Sequence, residues 1–366
     1  MTTFCSTTSV NIWRSLRGFA LAVCFLAPAG CDHSADRANV LASRQIHTIA
    51  GETMGTTFRV MVVADSGSFD PIELGTTIEG RLDQIDGLMS HYRPDSELVR
   101  FNRTSSTLPY PFSPETLDVV EVAGALSRTT DGAFDITIGP LVDAWGFGPP
   151  GQASKFLDDA TIEKLQARVG YRYLELDRIE STLRKLRPDL TVDLSAIAKG
   201  YAVDALSSLL SEEGIRDYLI EIGGELRVSG LNENGKQWRI AIEYPAVGTP
   251  AIQRIVTMTD VAVATSGEYR NFYNLGGVRV SHTIDPRTGR PVTHRLLSVT
   301  VLADECMLAD ARATALEVLG PEEGYALANT EGWAALFVIN SATGASTELE
   351  SPAFSKRVGE YAHPNP

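Results

Sequence analysis

Residues 196–229 read AIAKGYAVDALSSLLSEEGIRDYLIEIGGELRVS, and this stretch decides the class of fold. Its first half, 196–211, has the pattern of a helix that stops near Gly214. Two strand-like runs follow, Tyr218–Ile222 and Leu226–Ser229, joined through Glu221-Ile-Gly-Gly224-Glu225. Further strand-like runs, Trp238–Glu243 and Val261–Ala264, come next with no helical pattern between them. Strands and helices that cluster in this way predict an α+β fold, since a doubly wound parallel sheet needs strict alternation.

The same reading extends outward. Thr57–Val63 reads as a strand with Phe58, Val60 and Val62 on one face. Residues 72–89 read as a helix, with Ile78, Leu82, Ile85 and Met89 three and four residues apart. Ser113-Pro114 supplies an N-cap and first helical residue, and Gly132 closes that helix. Residues 159–169 form a further helix candidate, and 305–331 another, broken at Gly320-Pro321. Leu297–Leu302 and Trp333–Ile339 read as strands, and Asn234-Gly235 carries a hairpin signal. No linker interrupts 45–355. One compact domain is expected over 49–355, followed by a tail at 356–366.

The first 30 residues do not read as fold. Arg14 and Arg17 precede an apolar run, Gly18 to Pro28, of signal-peptide length and too short for a bilayer span. Ala27-Pro28-Ala29 fits a soluble-release cleavage site. Pro28-Ala29-Gly30-Cys31 is similar to a bacterial lipobox, with Cys31 as the lipidated residue, although Pro28 stands where an aliphatic residue is usual. Both readings export the chain, and residues 31–48 read as a polar tether. Lipidation of Cys31 would leave Cys306 as the one mature thiol, so no intramolecular disulfide is expected and Cys306 reads as buried.

The 366 residues carry 46 acidic and 32 basic side chains, a net charge of −14. That balance opposes a nucleic-acid surface, which needs a basic patch. It still allows a phosphate-bearing ligand, because backbone N–H groups or a bound metal can hold one. Residues 230–237 nearly match a P-loop, but Gln237 stands where the magnesium-binding hydroxyl belongs. Ser195 and Lys199 are too far apart for an S-x-x-K acylase. The six histidines are scattered, which removes a local zinc motif.

Other segments are dense in residue types that regular structure avoids. They are Gly51–Thr57, Ser90–Glu97, Gly132–Pro140, Asp193–Gly200, Glu221–Glu225, Ala264–Gly267, Ser281–Gly289 and Asp310–Thr314. Singly, each has an ordinary reading: glycine-threonine turns, Asp193 as a helix cap, Asp285-Pro286 as a turn start.

Six of them in order carry a resemblance: Thr53-Met-Gly-Thr56, Gly132-x-Phe-Asp135, Asp193-x-x-Ala-Ile-Ala-Lys-Gly200, Glu221-Ile-Gly-Gly224, Ser281-His-x-Ile-Asp-Pro-x-Thr-Gly289 and Ala309-Asp-x-x-Ala-Thr314. From about Gly51 to Gly320 the chain resembles the ApbE family of FAD:protein FMN transferases. The resemblance implies an ApbE-like, T-fold-related α+β domain. It also implies transfer of FMN from FAD to a Thr or Ser hydroxyl of an acceptor protein, with AMP leaving. FAD pyrophosphatase activity and non-catalytic flavin binding are the alternatives; Tyr92 looks like the transferase side of the family.

The implied metal is Mg²⁺, held by Asp310, Thr314 and the Ala196 carbonyl. Those are hard oxygen donors, and positions four apart on a helix project together. Ala313 stands where some members carry a second acid, which leaves one ion or two open. The implied FAD contacts are Met54, Tyr92, Ala133, Phe134, Asp135, Asp193, Lys199 and Ile284. Histidine is the side chain that ordinarily changes charge near neutrality, so His282 suits a general base, with Asp285 as the alternative. An inner-membrane lipoprotein facing the periplasm is expected, acting on respiratory redox subunits; a soluble periplasmic protein is the alternative.

Overall fold

Phe58, Val60 and Val62 alternate with more polar neighbours, and they share one face of a strand in the computed structural model, which describes residues 44–65, 67–148, 151, 156–244, 251–267, 272–340 and 346–358. All of these belong to one compact unit. The signal segment, Cys31, most of the tether and residues 359–366 lie outside the described residues.

The framework is an eight-stranded sheet. Its strands are β1 (Arg44–Thr53), β2 (Thr56–Asp65), β3 (Tyr218–Ile222), β4 (Glu225–Ser229), β5 (Val261–Gly267), β6 (Leu296–Ala303), β7 (Ala334–Asn340) and β8 (Ser346–Glu350). Spatial order follows chain order, and every neighbouring pair is antiparallel. Helices are inserted between β2 and β3 and between β6 and β7: α1 (Pro71–Met89), α2 (Glu97–Arg103), α3 (Pro114–Thr129), α4 (Gly139–Ala144), α5 (Asp159–Gln166), α6 (Ala198–Glu212) and α7 (Cys306–Thr330), with α8 (Pro352–Val358) at the end.

Both faces of the sheet are buried, and strand alternation divides the side chains between them. Ala262, Ala264, Val299, Val301, Ala335 and Phe337 face the main helices, packing with Ile78, Leu82, Leu206 and Leu316. Val261, Val263, Leu302, Ala334 and Leu336 face the other way, against Trp238, Ile240, Val256 and Phe354. A smaller cluster holds Leu141, Trp145, Ile162, Tyr273, Val280 and Ile284 together beneath the loop regions.

Four expectations are corrected. The domain takes in residues before 49: residues 44–48, read as tether, are the first half of β1, an edge strand whose polar residues face solvent and hide the strand signal. Asn234-Gly235 forms a turn but no hairpin, because the flanking strands join different partners. β4 pairs with β3 and β5, whereas Trp238–Tyr244 pairs with Ala251–Met258. The tail boundary at 356 falls inside α8, anchored by buried Phe354 and Val358. The Ser281–Gly289 loop contains Ile284–Asp285, which pairs with Arg290–Pro291.

Two helices carry the site, and their crossing is fixed by side chains. The N-terminus of α7 has no cap of its own; Asp204 on α6 accepts from the backbone N–H of Cys306 (2.9 Å) and Met307 (2.8 Å). A carboxylate there satisfies orphan donors and favours the helix dipole. Contact is close because Gly200 lacks a Cβ: an added one would sit 2.4 Å from the Cys306 carbonyl oxygen. Cys306 is buried as expected, and burial pushes its thiol well above the ordinary range.

Candidate active site

The helix start at Ala198 follows an Asx-type turn in which the Asp193 carboxylate accepts from the Ser195 N–H (2.9 Å) and Oγ–H (2.5 Å). This turn aims Ala196 and Lys199 into a cleft with a cavity volume of about 370 Å³. From α7, Asp310 and Thr314 project into the same cleft, one helical turn apart. Asp310 is buried, and its Oδ2 accepts from the Gly200 N–H at 3.0 Å. Thr314 Oγ1 lies 3.4 Å from Ser266 Oγ at the end of β5. The turn before α6 and the helix α7 thus place the three expected metal donors, Ala196, Asp310 and Thr314, in the lining of one cleft.

Lys199 Nζ sits 3.3 Å from Glu225 Oε1 and 3.7 Å from Asp310 Oδ2. Burial opposes its charge, but these carboxylates outweigh it and raise the ammonium above the ordinary lysine range. Glu225 is pushed up, first by burial and then by neighbouring Asp310, with Lys199 opposing. Its Oε2 is buried and makes no hydrogen bond. With Glu225 ionised, two buried carboxylates face one ammonium and the cluster is net negative, so a hard divalent cation fits this donor set.

The opposite wall holds Ala133, Phe134, Asp135, His282 and Ile284. The Phe147 ring stands edge-on to His282, with centroids 6.2 Å apart. The Asp135 carboxylate accepts from the Thr137 N–H (2.8 Å), the Thr137 hydroxyl (2.7 Å) and the Tyr171 N–H (2.9 Å), so both of its oxygens hold the loop. Burial raises its pKa despite those donors. Asp285 accepts from the Arg287 N–H (2.8 Å), Nε (3.0 Å) and Nη2 (2.9 Å). It is a turn anchor tied to a guanidinium and does not line the cleft; this corrects its reading as an alternative base.

Met54 lies outside this first cleft. It occupies, with Gly55, the two-residue turn between β1 and β2, both at positive φ (48° and 73°), as a type I′ turn demands. A glycine meets that demand freely; Met54 meets it under strain of the kind that clusters at ligand sites. The turn lines a second cleft of about 600 Å³, whose lining shares Tyr92, Ser195 and Lys199 with the first. Two clefts meeting along that line suit an elongated ligand with two aromatic heads and charge at its waist.

The sequence reading missed His91 and Glu225. His91 Nδ1 is 3.0 Å from Ser195 Oγ and 3.3 Å from Asp193 Oδ1, and its ring lies 4.0 Å from that of Tyr92. Neither has a local signal: Ser195 is 104 positions from His91, and the groups around Glu225 come from Lys199 and Asp310 on two other elements. Among the described residues there is no group of three or more His, Cys, Asp or Glu side chains placed for a metal; any ion here relies on the hydroxyl and carbonyl as well.

A model of the ApbE family matches residues 54–337. The FAD:protein FMN transferase of Vibrio cholerae is 43% identical over 316 residues, covering 86% of this chain and 91% of that protein. That of Salmonella typhimurium is 42% identical over 340 residues, 92% of this chain and 96% of that one. Among solved structures, the flavin transferase ApbE of Vibrio cholerae superposes with a TM-score of 0.80 at 42% identity, over 86% of this chain and 99% of that one. The apo flavinyl transferase ApbE of Pseudomonas stutzeri gives 0.79 at 37%, over 87% and 98%.

Proposed function

Because this chain belongs to the ApbE family, we propose that it transfers FMN from FAD to an acceptor protein. The acceptor group is a Thr or Ser hydroxyl. Its oxygen attacks the phosphorus on the FMN side of the pyrophosphate; that P–O bond forms as the bond to the bridging oxygen breaks, and AMP departs with the bridge. The observation that carries this reading is the meeting of Ala196, Lys199, Asp310, Thr314 and His282 in one cleft. Positioning and charge neutralisation are what such a displacement needs from a protein.

Each side chain has a task its surroundings support. Tyr92 presents an exposed ring to an aromatic base. The Ala133–Asp135 backbone, held by the Asp135 carboxylate, offers edges for a ring system, and Ile284 lines the same cleft. Lys199 places its ammonium at the meeting of the two clefts, where a pyrophosphate would lie. His282 accepts the hydroxyl proton. Ala196, Asp310 and Thr314 would hold Mg²⁺, which when bound supplies positive charge to the pyrophosphate.

The chain is carried to the periplasmic face of the inner membrane on a lipid attached to Cys31, where respiratory redox subunits are the acceptors. Among the described residues no helix is long and apolar enough to cross a membrane. Cys31→Ser should release the protein from membrane fractions; retention there would remove the lipid anchor.

The transfer is tested by incubating the protein with FAD, Mg²⁺ and a Thr-containing acceptor domain. Flavin fluorescence that stays with the denatured acceptor, with one AMP per label, is the expected result. AMP and free FMN without labelling would make the protein a pyrophosphatase, and bound FAD without AMP would make it a carrier.

A further inference from the structure

Glu225 and Asp310 are buried beside the half-buried Lys199, so the acids of this cluster outnumber its cation. The ammonium is shared: it lies 3.3 Å from Glu225 and 3.7 Å from Asp310, both longer than the ~2.7–2.9 Å of a committed charge-assisted bond. Glu225 engages it through Oε1 alone, and Oε2, equally buried, has no hydrogen-bond partner. A buried carboxylate oxygen without a donor is costly, so a further seat for the ammonium stands beside the one it uses. Room for the lysine stem comes from Gly223, where a Cβ would lie 3.4 Å from Lys199 Cδ.

We propose that Lys199 is a place-holder for the divalent cation: it covers Asp310 while the metal is away, and Glu225 receives the ammonium when the metal takes Asp310. This rests on the reading of Asp310 as a metal ligand. The physical argument is competition. An ammonium about 4 Å from a carboxylate and a divalent ion on that carboxylate repel each other strongly in a site of reduced dielectric. The lysine must withdraw, and the vacant oxygen of Glu225 makes withdrawal inexpensive. Glu225 is therefore a positioning residue that acts through Lys199 and not a ligand.

The test is equilibrium binding of Mn²⁺ to the full chain at pH 8 without FAD, read by calorimetry and by the EPR signal of free Mn²⁺. Lys199→Met should bind Mn²⁺ more tightly and Glu225→Gln more weakly, each on the order of tenfold, the scale of one charge lost beside a buried carboxylate. In the Lys199→Met background, Glu225→Gln should have no further effect. Lys199→Gln repeats the first arm should the methionine variant misfold, and thermal melts confirm folding of each. A further loss of affinity in the double variant would overturn the proposal by making Glu225 act on the metal directly. Unchanged affinity in Lys199→Met would overturn it as well. Failure of the underlying reading looks different: wild type and Asp310→Ala would then bind Mn²⁺ equally or not at all.

Discussion

Replacing Gly200 by alanine tests the helix contact on which the site depends. In a helix interior this change ordinarily stabilises by about 1 kcal/mol, since alanine loses less backbone entropy. At Gly200 the new Cβ would stand 2.4 Å from the Cys306 carbonyl oxygen and 2.7 Å from Met307 Cα, where ordinary contact begins at 3.4 Å. These are backbone atoms at the start of α7, with no rotamer to yield. One helix must shift by roughly 1 Å, and overpacking of that kind costs about 1–3 kcal/mol or more.

The loss exceeds the gain, so the variant should be less stable by about 1–2 kcal/mol, a fall of roughly 2–3 °C in melting temperature for a domain of this size. The same shift stretches the Gly200 N–H bond to Asp310, and misplacement of about 1 Å can cost on the order of a hundredfold in rate. Gly80→Ala is the control: it lies exposed in α1 with nothing within 4 Å of its Cβ, and should raise the melting temperature. Thermal melts and the rate of AMP release from FAD read both effects. A Gly200→Ala protein that melts at or above wild type would refute the close approach of α6 and α7.

Three further outcomes are expected. His91→Ala should raise the KM for FAD roughly tenfold with little change in kcat, the worth of a hydrogen bond to a charged group, and His91→Asn should recover part of it. Glu225, whose carboxyl is pushed up to about 7, takes up a proton in the folded protein that the unfolded chain releases down to about pH 4.5. Its stabilising contribution is therefore full below 4.5 and lost as pH rises through 7, so metal-free wild type should gain melting temperature on Glu225→Gln as the pH falls from 8 to 5. Glu350→Gln should destabilise by about 2–3 kcal/mol in denaturant melts, because it removes one of the carboxylates paired with the buried Arg254 guanidinium.

The parts of this protein legible in its sequence are those whose physics is local. Ser113-Pro114 capped a helix because an N-cap and its first residue are neighbours, and the stripe from Ile78 to Met89 lay on one face because helical period repeats within a few residues. Asp310 and Thr314 met for the same reason. Failures came where a residue's role is set across the fold. Residues 44–48 read as tether because an edge strand buries little, and their order comes from β2, whose strand signal is itself plain. Asn234-Gly235 had the chemistry of a hairpin turn, but pairing is decided by which strands bury their faces together, and Trp238–Tyr244 left the large sheet to cover its back.

Glu225 shows why site chemistry is harder to see than site location. Its segment was marked because glycines beside a strand end are unusual, which fixed the place. Its role depends on an ammonium from α6 and a carboxylate from α7, and that arrangement exists only because Gly200 lets the two helices touch and Asp204 caps one from the other. A glycine and an aspartate that never enter the cleft therefore determine which charges face each other inside it. It follows that Asp204→Asn, which keeps the shape but weakens the cap on α7, should loosen Mn²⁺ binding at Asp310 without altering any residue that lines the cleft.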